Sequence, residues 1–89
     1  MLSSNQDLYD YLLGLSSKLR ARGSEELSKV VITASGHAAS WVTTTEFLGE
    51  SRIALRQVLK DERGILTVEE RDKLLEVITE IDDVFNRRK

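Results

Sequence analysis

Residues 30–45 (VVITASGHAASWVTTT) contain no Asp, Glu, Lys or Arg, although charged side chains make up 31% of the chain as a whole. An ionised side chain carried into an apolar interior without a partner costs several kcal/mol. A stretch that drops its charges is therefore expected to be buried, against its own molecule or against another. The same stretch holds the single His (His37) and the single Trp (Trp41).

On both sides of it the apolar residues fall at helical spacing. Leu8, Leu12, Leu15 and Leu19 follow one another at intervals of four, three and four, the seam of an amphipathic helix. Arg20 and Arg22 followed by Gly23 mark its end, which predicts a first helix over 6–22. Gly14 lies inside that helix, at up to about 1 kcal/mol relative to Ala, and is expected to pack closely on a neighbouring helix. Ser24 with Glu25 and Glu26 opens a second helix whose seam is Leu27, Val31, Ala34 and Ala38. Its end has two readings: Gly36 stops it, or the small residues around Gly36 carry it on.

Thr43 and Glu46 have the T-x-x-E spacing of a capping box, predicting a third helix from about Thr44 to Gly64. Leu48, Leu55, Val58 and Leu59 line it, with Ile53 and Ala54 widening the apolar face, and Gly49 is again read as a packing residue. Thr67 and Glu70 repeat the box, and Leu74, Ile78, Ile81 and Phe85 predict a fourth helix to about Asn86. Glu25–Lys29, Glu69–Lys73 and Asp83–Arg87 stand at i,i+4, where opposite charges support a helix.

Four helices of similar length with short connections predict one domain over 1–89, an all-α up-and-down four-helix bundle. The alternative is three helices with one long central helix over 25–63. The seam Leu27, Val31, Ala34, Ala38, Trp41, Thr45, Leu48, Arg52, Leu55, Leu59 keeps its phase throughout, and such a layer is completed by dimerisation. The β-branched segments VVIT and WVTTTEF also fit a β-hairpin, although an isolated hairpin is marginal and no third strand is visible.

The composition narrows the chemistry. Without Cys there are no disulfides and no thiolate metal ligands. His37 has no second His and no carboxylate within a helical turn, so neither a zinc set nor the Glu-x-x-His pattern of di-iron bundles is present. The five glycines are scattered singly, unlike a phosphate-binding loop. Glu69, Glu70, Asp72, Glu76, Glu80, Asp82 and Asp83 read as solvated helix faces. No catalytic residue, cofactor or metal is therefore expected. The chain lacks the roughly 20 consecutive apolar residues of a membrane span and begins without the features of a secretory signal, which makes the cytoplasm the expected compartment.

Two surfaces remain as candidates. Arg52, Arg56, Lys60 and Arg63 recur at intervals that share one helical face, suited to phosphates, an acidic partner or the acidic side of the fourth helix. The net charge of −2 and the neighbouring Asp61 and Glu62 disfavour nucleic acid; a nucleic-acid-associated accessory role is the alternative reading. Trp41, Val42 and Phe47 form the candidate protein interface, since aromatic residues dominate binding hot spots. A chain of this size buries only about 60–65% of its unfolded surface, which favours association. The expectation is a small, soluble, non-catalytic interaction or assembly module with an unidentified protein partner, most simply a homodimer.

Overall fold

The computed structural model describes the backbone of residues 5–39 and 44–87, with the side chains of 6–36 and 46–86. Four helices account for nearly all of it: α1 (Asn5–Ala21), α2 (Glu25–Ala39), α3 (Thr44–Asp61) and α4 (Val68–Arg87). Each packs against the next in sequence, giving an up-down-up-down bundle. The expected boundaries of α1 and α4 hold to within a residue or so; α2 runs on through Gly36 to Ala39, so that glycine does not stop it, and α3 ends at Asp61, short of Gly64.

A continuous helix over 25–63 would measure about 58 Å at 1.5 Å per residue. The longest dimension of the molecule is 36 Å, and α2 folds back to lie against α3. The three-helix alternative is thereby excluded. The in-phase seam does not decide the matter, because each of two packed helices turns its own stripe to the core whatever the phase between the stripes in sequence. No strand occurs among the described residues, and VVIT lies within α2, so the hairpin is excluded too. Favourable β-propensity yields here to burial of an amphipathic helix, as it commonly does.

The core is the set of stripes read from the sequence. Leu8, Leu12, Leu15 and Leu19 of α1 meet Leu27 and Val31 of α2, Leu55 and Val58 of α3, and Leu74, Val77 and Ile81 of α4 in one apolar cluster. Phe47 is the largest fully buried side chain among the described residues. Serines fill the tighter places: Ser16 and Ser28, both buried, join α1 to α2 through their hydroxyls at 2.8 Å.

The chain reversals have specific causes. At the end of α1 the Ser24 amide donates to Leu19 O at 2.8 Å and the Gly23 amide to Arg20 O at 3.1 Å. This is a Schellman cap, and it places Gly23 at φ 89°, where a side chain is strained. After α3, Arg63 and Gly64 both take positive φ, 49° and 86°. The buried Glu62 accepts a hydrogen bond from the Leu66 amide at 2.9 Å, which spares that amide the penalty of burial without a partner.

Two local expectations need correction. A Cβ added at Gly14 would meet nothing within 4 Å, so close helix packing does not explain this glycine, whereas one at Gly49 would touch the Phe85 ring at 3.8 Å. Lys73 approaches Glu76 at 3.9 Å, and neither Glu25–Lys29 nor Glu69–Lys73 closes to an ion pair. Thr43 and its half of the first capping box lie outside the described residues, as does the side chain of Arg87.

Two substitutions separate these effects. Gly14→Ala is expected to raise stability by about 0.5–1 kcal/mol, since only helix propensity changes. Leu12→Ala is expected to lower it by about 2–5 kcal/mol through lost burial and a cavity. Denaturant titration measures both, and a destabilised Gly14→Ala protein would contradict the open space described at that position.

Candidate protein-contact surfaces

The second capping box is formed as the spacing predicts. The Glu70 amide donates to Thr67 Oγ1 at 3.1 Å and the Thr67 amide to Glu70 Oε1 at 2.9 Å, satisfying two of the amides that a helix start leaves open. The same carboxylate takes both arms of Arg22 from the end of α1, Nη1 on Oε1 and Nη2 on Oε2 at 3.0 Å. Lys18 Nζ lies 3.4 Å from Oε2. One glutamate therefore caps α4 and ties it to α1. The Arg22 hydrogen bond first, and the Thr67 amide next, hold its carboxyl well below the usual carboxylate range.

Around this node lies a groove of about 320 Å³ between α1 and α4, lined by Tyr11, Gly14, Leu15 and Lys18 on one side and Glu69, Glu70 and Lys73 on the other. Burial, and secondarily the charge of Glu70, push the Tyr11 phenol up to about 12, so it stays protonated at neutral pH. The groove's main charged groups already serve one another, Lys18 with Glu70 and Lys73 with Glu76. It is a seam of the bundle with no converging set of unpaired polar groups.

The basic face on α3 divides in two. Arg52 Nη1 donates to Asp82 Oδ1 at 3.2 Å, and its guanidinium sits 4.3 Å above the centre of the Phe85 ring, within cation–π range. Arg56 Nη2 donates to both Asp82 oxygens, at 3.1 and 3.0 Å. Half-exposed pairs of this kind contribute about 0–1 kcal/mol each, but they turn Arg52 and Arg56 toward α4. Lys60 and Arg63 are exposed and make no ion pair among the described residues. The four cations thus do not act as one free stripe.

The candidate interface residues separate as well. The Phe47 side chain is 1% exposed and belongs to the core, so its ring offers no contact surface. Trp41, Val42 and the side chain of His37 lie outside the described residues. Within α2 the uncharged stretch is only partly buried. Val31, Ala34 and Ser35 point inward, while Ile32 (49% exposed), Thr33 and Gly36 face outward. Together with Lys29 these three stand at i, i+3, i+4 and i+7, one face of the helix.

Beside that face, on α3, Ile53 is 62% exposed. A shallow groove of about 300 Å³ runs between the two helices, with Val30, Thr33, Ala34, Ile53 and Ala54 along it and Lys29 and Glu50 at its rim. Neither rim charge forms an ion pair among the described residues. Ile53 was expected to widen the buried face. It stands two residues, or about 200° of helix, from the fully buried Leu55, so a stricter reading of the helical period finds it on the outside.

Among the described residues no group of three or more His, Cys, Asp or Glu is arranged to hold a metal ion, and no helix is long and apolar enough to cross a membrane. Comparison with protein-family models, curated proteins and solved structures finds no match to the chain.

The Glu70 node gives a pH prediction. A carboxyl depressed in the folded state stabilises the fold at pH above its unfolded value of about 4.3. That contribution disappears as pH falls toward the depressed folded value. Glu70→Gln is expected to lower the denaturation midpoint at pH 7 and to flatten its decline on acidification. Parallel wild-type and variant profiles from pH 7 to 3 would contradict this role.

Proposed function

We propose that the protein is a non-catalytic protein–protein interaction or assembly module, cytoplasmic, whose contact surface is the outward face of α2 together with Ile53 of α3. One observation carries the reading: the uncharged segment of α2 leaves Thr33 exposed and Val30 only half-buried along a groove shared with the protruding Ile53 of α3. Single exposed apolar residues are ordinary on any protein surface. Here Val30, Thr33 and Ile53 line one groove together with Ala34 and Ala54, and it is on this shared apolar lining that we place the contact. Self-association into a homodimer is the simplest form such a module takes.

The nucleic-acid alternative loses support from the pairing of Arg52 and Arg56 with Asp82, since a phosphate would have to displace a carboxylate already in place. A catalytic reading gains nothing from the α4 carboxylates Glu70, Glu76 and Asp82, which engage cations, and the side chain of His37 lies outside the described residues.

Affinity capture with tagged protein, after nuclease treatment, tests the reading. Ile53→Asp replaces an exposed side chain and is expected to leave the unfolding midpoint nearly unchanged while removing the captured proteins, additional copies of the chain included. An identical set held by wild type and Ile53→Asp would overturn the assignment of this surface, and a set that vanishes with nuclease would favour the basic face.

A further inference from the structure

We infer that the partner seated on the α2/α3 groove is a second copy of this chain, in a two-fold dimer where Lys29 of each copy pairs with Glu50 of the other. The inference rests on the protein-contact reading of that face. Its starting point is the charge pattern. The groove carries one cation on α2 and one anion on α3, with Val30, Thr33 and Ile53 as the apolar surface beside them. Both rim residues are exposed, and neither forms an ion pair among the described residues.

A face of this kind is complementary to itself. In a two-fold interface, if residue 29 of one copy meets residue 50 of the other, the reverse contact follows by symmetry. A two-fold axis lying in the face, midway between the two charges and perpendicular to the line joining them, sets each charge over its opposite. An uncharged partner would desolvate both groups without compensation. A partner of one sign would oppose one of them with a like charge. The second copy satisfies both without any further feature.

Shape points the same way. Ile53 protrudes at 62% exposure, while Ala34 and Ala54, 4% and 3% exposed, keep the groove floor low. Knob and depression lie on the same groove as the two charges, so a second copy brought onto it meets an apolar surface between the charged contacts. Gly36, where an added Cβ would meet nothing, leaves the α2 backbone open to close approach.

Charge exchange with the full-length chain tests this directly, read by analytical ultracentrifugation over a range of concentrations. The wild type is expected to dimerise reversibly. Lys29→Glu and Glu50→Lys, each placing like charges at both contacts, are expected to raise the dissociation constant at least about tenfold. An equimolar mixture of the two variants regains the dimer, because both contacts in the mixed pair join opposite charges. The double variant Lys29→Glu/Glu50→Lys regains it alone.

Single variants that dimerise like wild type would overturn the location of the interface, and single variants that fail to recover on mixing would overturn the 29–50 pairing. A wild type that stays monomeric throughout would overturn self-association. The interaction reading would then still stand or fall separately, on whether Ile53→Asp loses captured partners of another sequence.

Discussion

One apolar stripe per helix, turned to a common axis, is the constraint from which the rest of the structure follows. Leu8, Leu12, Leu15 and Leu19 are each at most 4% exposed, and packing the four stripes around one axis removes all of them from water. Burial of this kind stabilises by about 1.5–3 kcal/mol per large side chain, against ion pairs at the surface worth a fraction of that. The core therefore sets which helices are neighbours, and the polar contacts adjust within the geometry it imposes. The Ser16–Ser28 hydrogen bond belongs to this adjustment: it lets α1 and α2 approach closely while keeping both buried hydroxyls satisfied.

The helix ends convert the stripes into a defined order. The Schellman cap at Gly23, the paired positive φ values at Arg63 and Gly64, and the Thr67–Glu70 box each stop or start a helix within a residue or two. Glu70 joins two of these devices, since the carboxylate that caps α4 also receives Arg22 from the close of α1. First and last helices are thereby held at one end of the bundle, where the groove between them is otherwise lined by Tyr11, Gly14 and Leu15.

Most of this fold can be read from the sequence because the signals are local. Helical periodicity locates the four stripes, and the T-x-x-E spacing at Thr67 yields its hydrogen bonds as expected. The connection between α2 and α3 is not legible in that way. The pattern from Leu27 to Leu59 keeps one phase, so it fits a single long helix as well as two, and only the packing of α2 on α3 decides between them. Burial of small polar groups is equally opaque, since Ser16, Ser28 and Glu62 gain their places only from partners distant in space or in a turn. Of the candidate contact residues, Phe47 is core because the α3 stripe needs a large side chain where the bundle has room for one. Arg52 and Arg56 reach Asp82, 26 residues or more along the chain, which is the acidic side of the fourth helix among the partners their shared face suited; spacing within α3 does not choose between those partners.

The central claim is that the α2/α3 face, uncharged at its middle and oppositely charged at its rim, is where a second copy binds. Other exposed apolar residues, Val68 (75%) and Leu75 (43%) on α4, provide the internal comparison. Methyl NMR spectra recorded along a dilution series test the claim most directly. Shifts that depend on concentration at Val30 and Ile53, with Val68 and Leu75 unmoved, are the predicted result. Spectra independent of concentration, or shifts centred on the α4 residues, would contradict it.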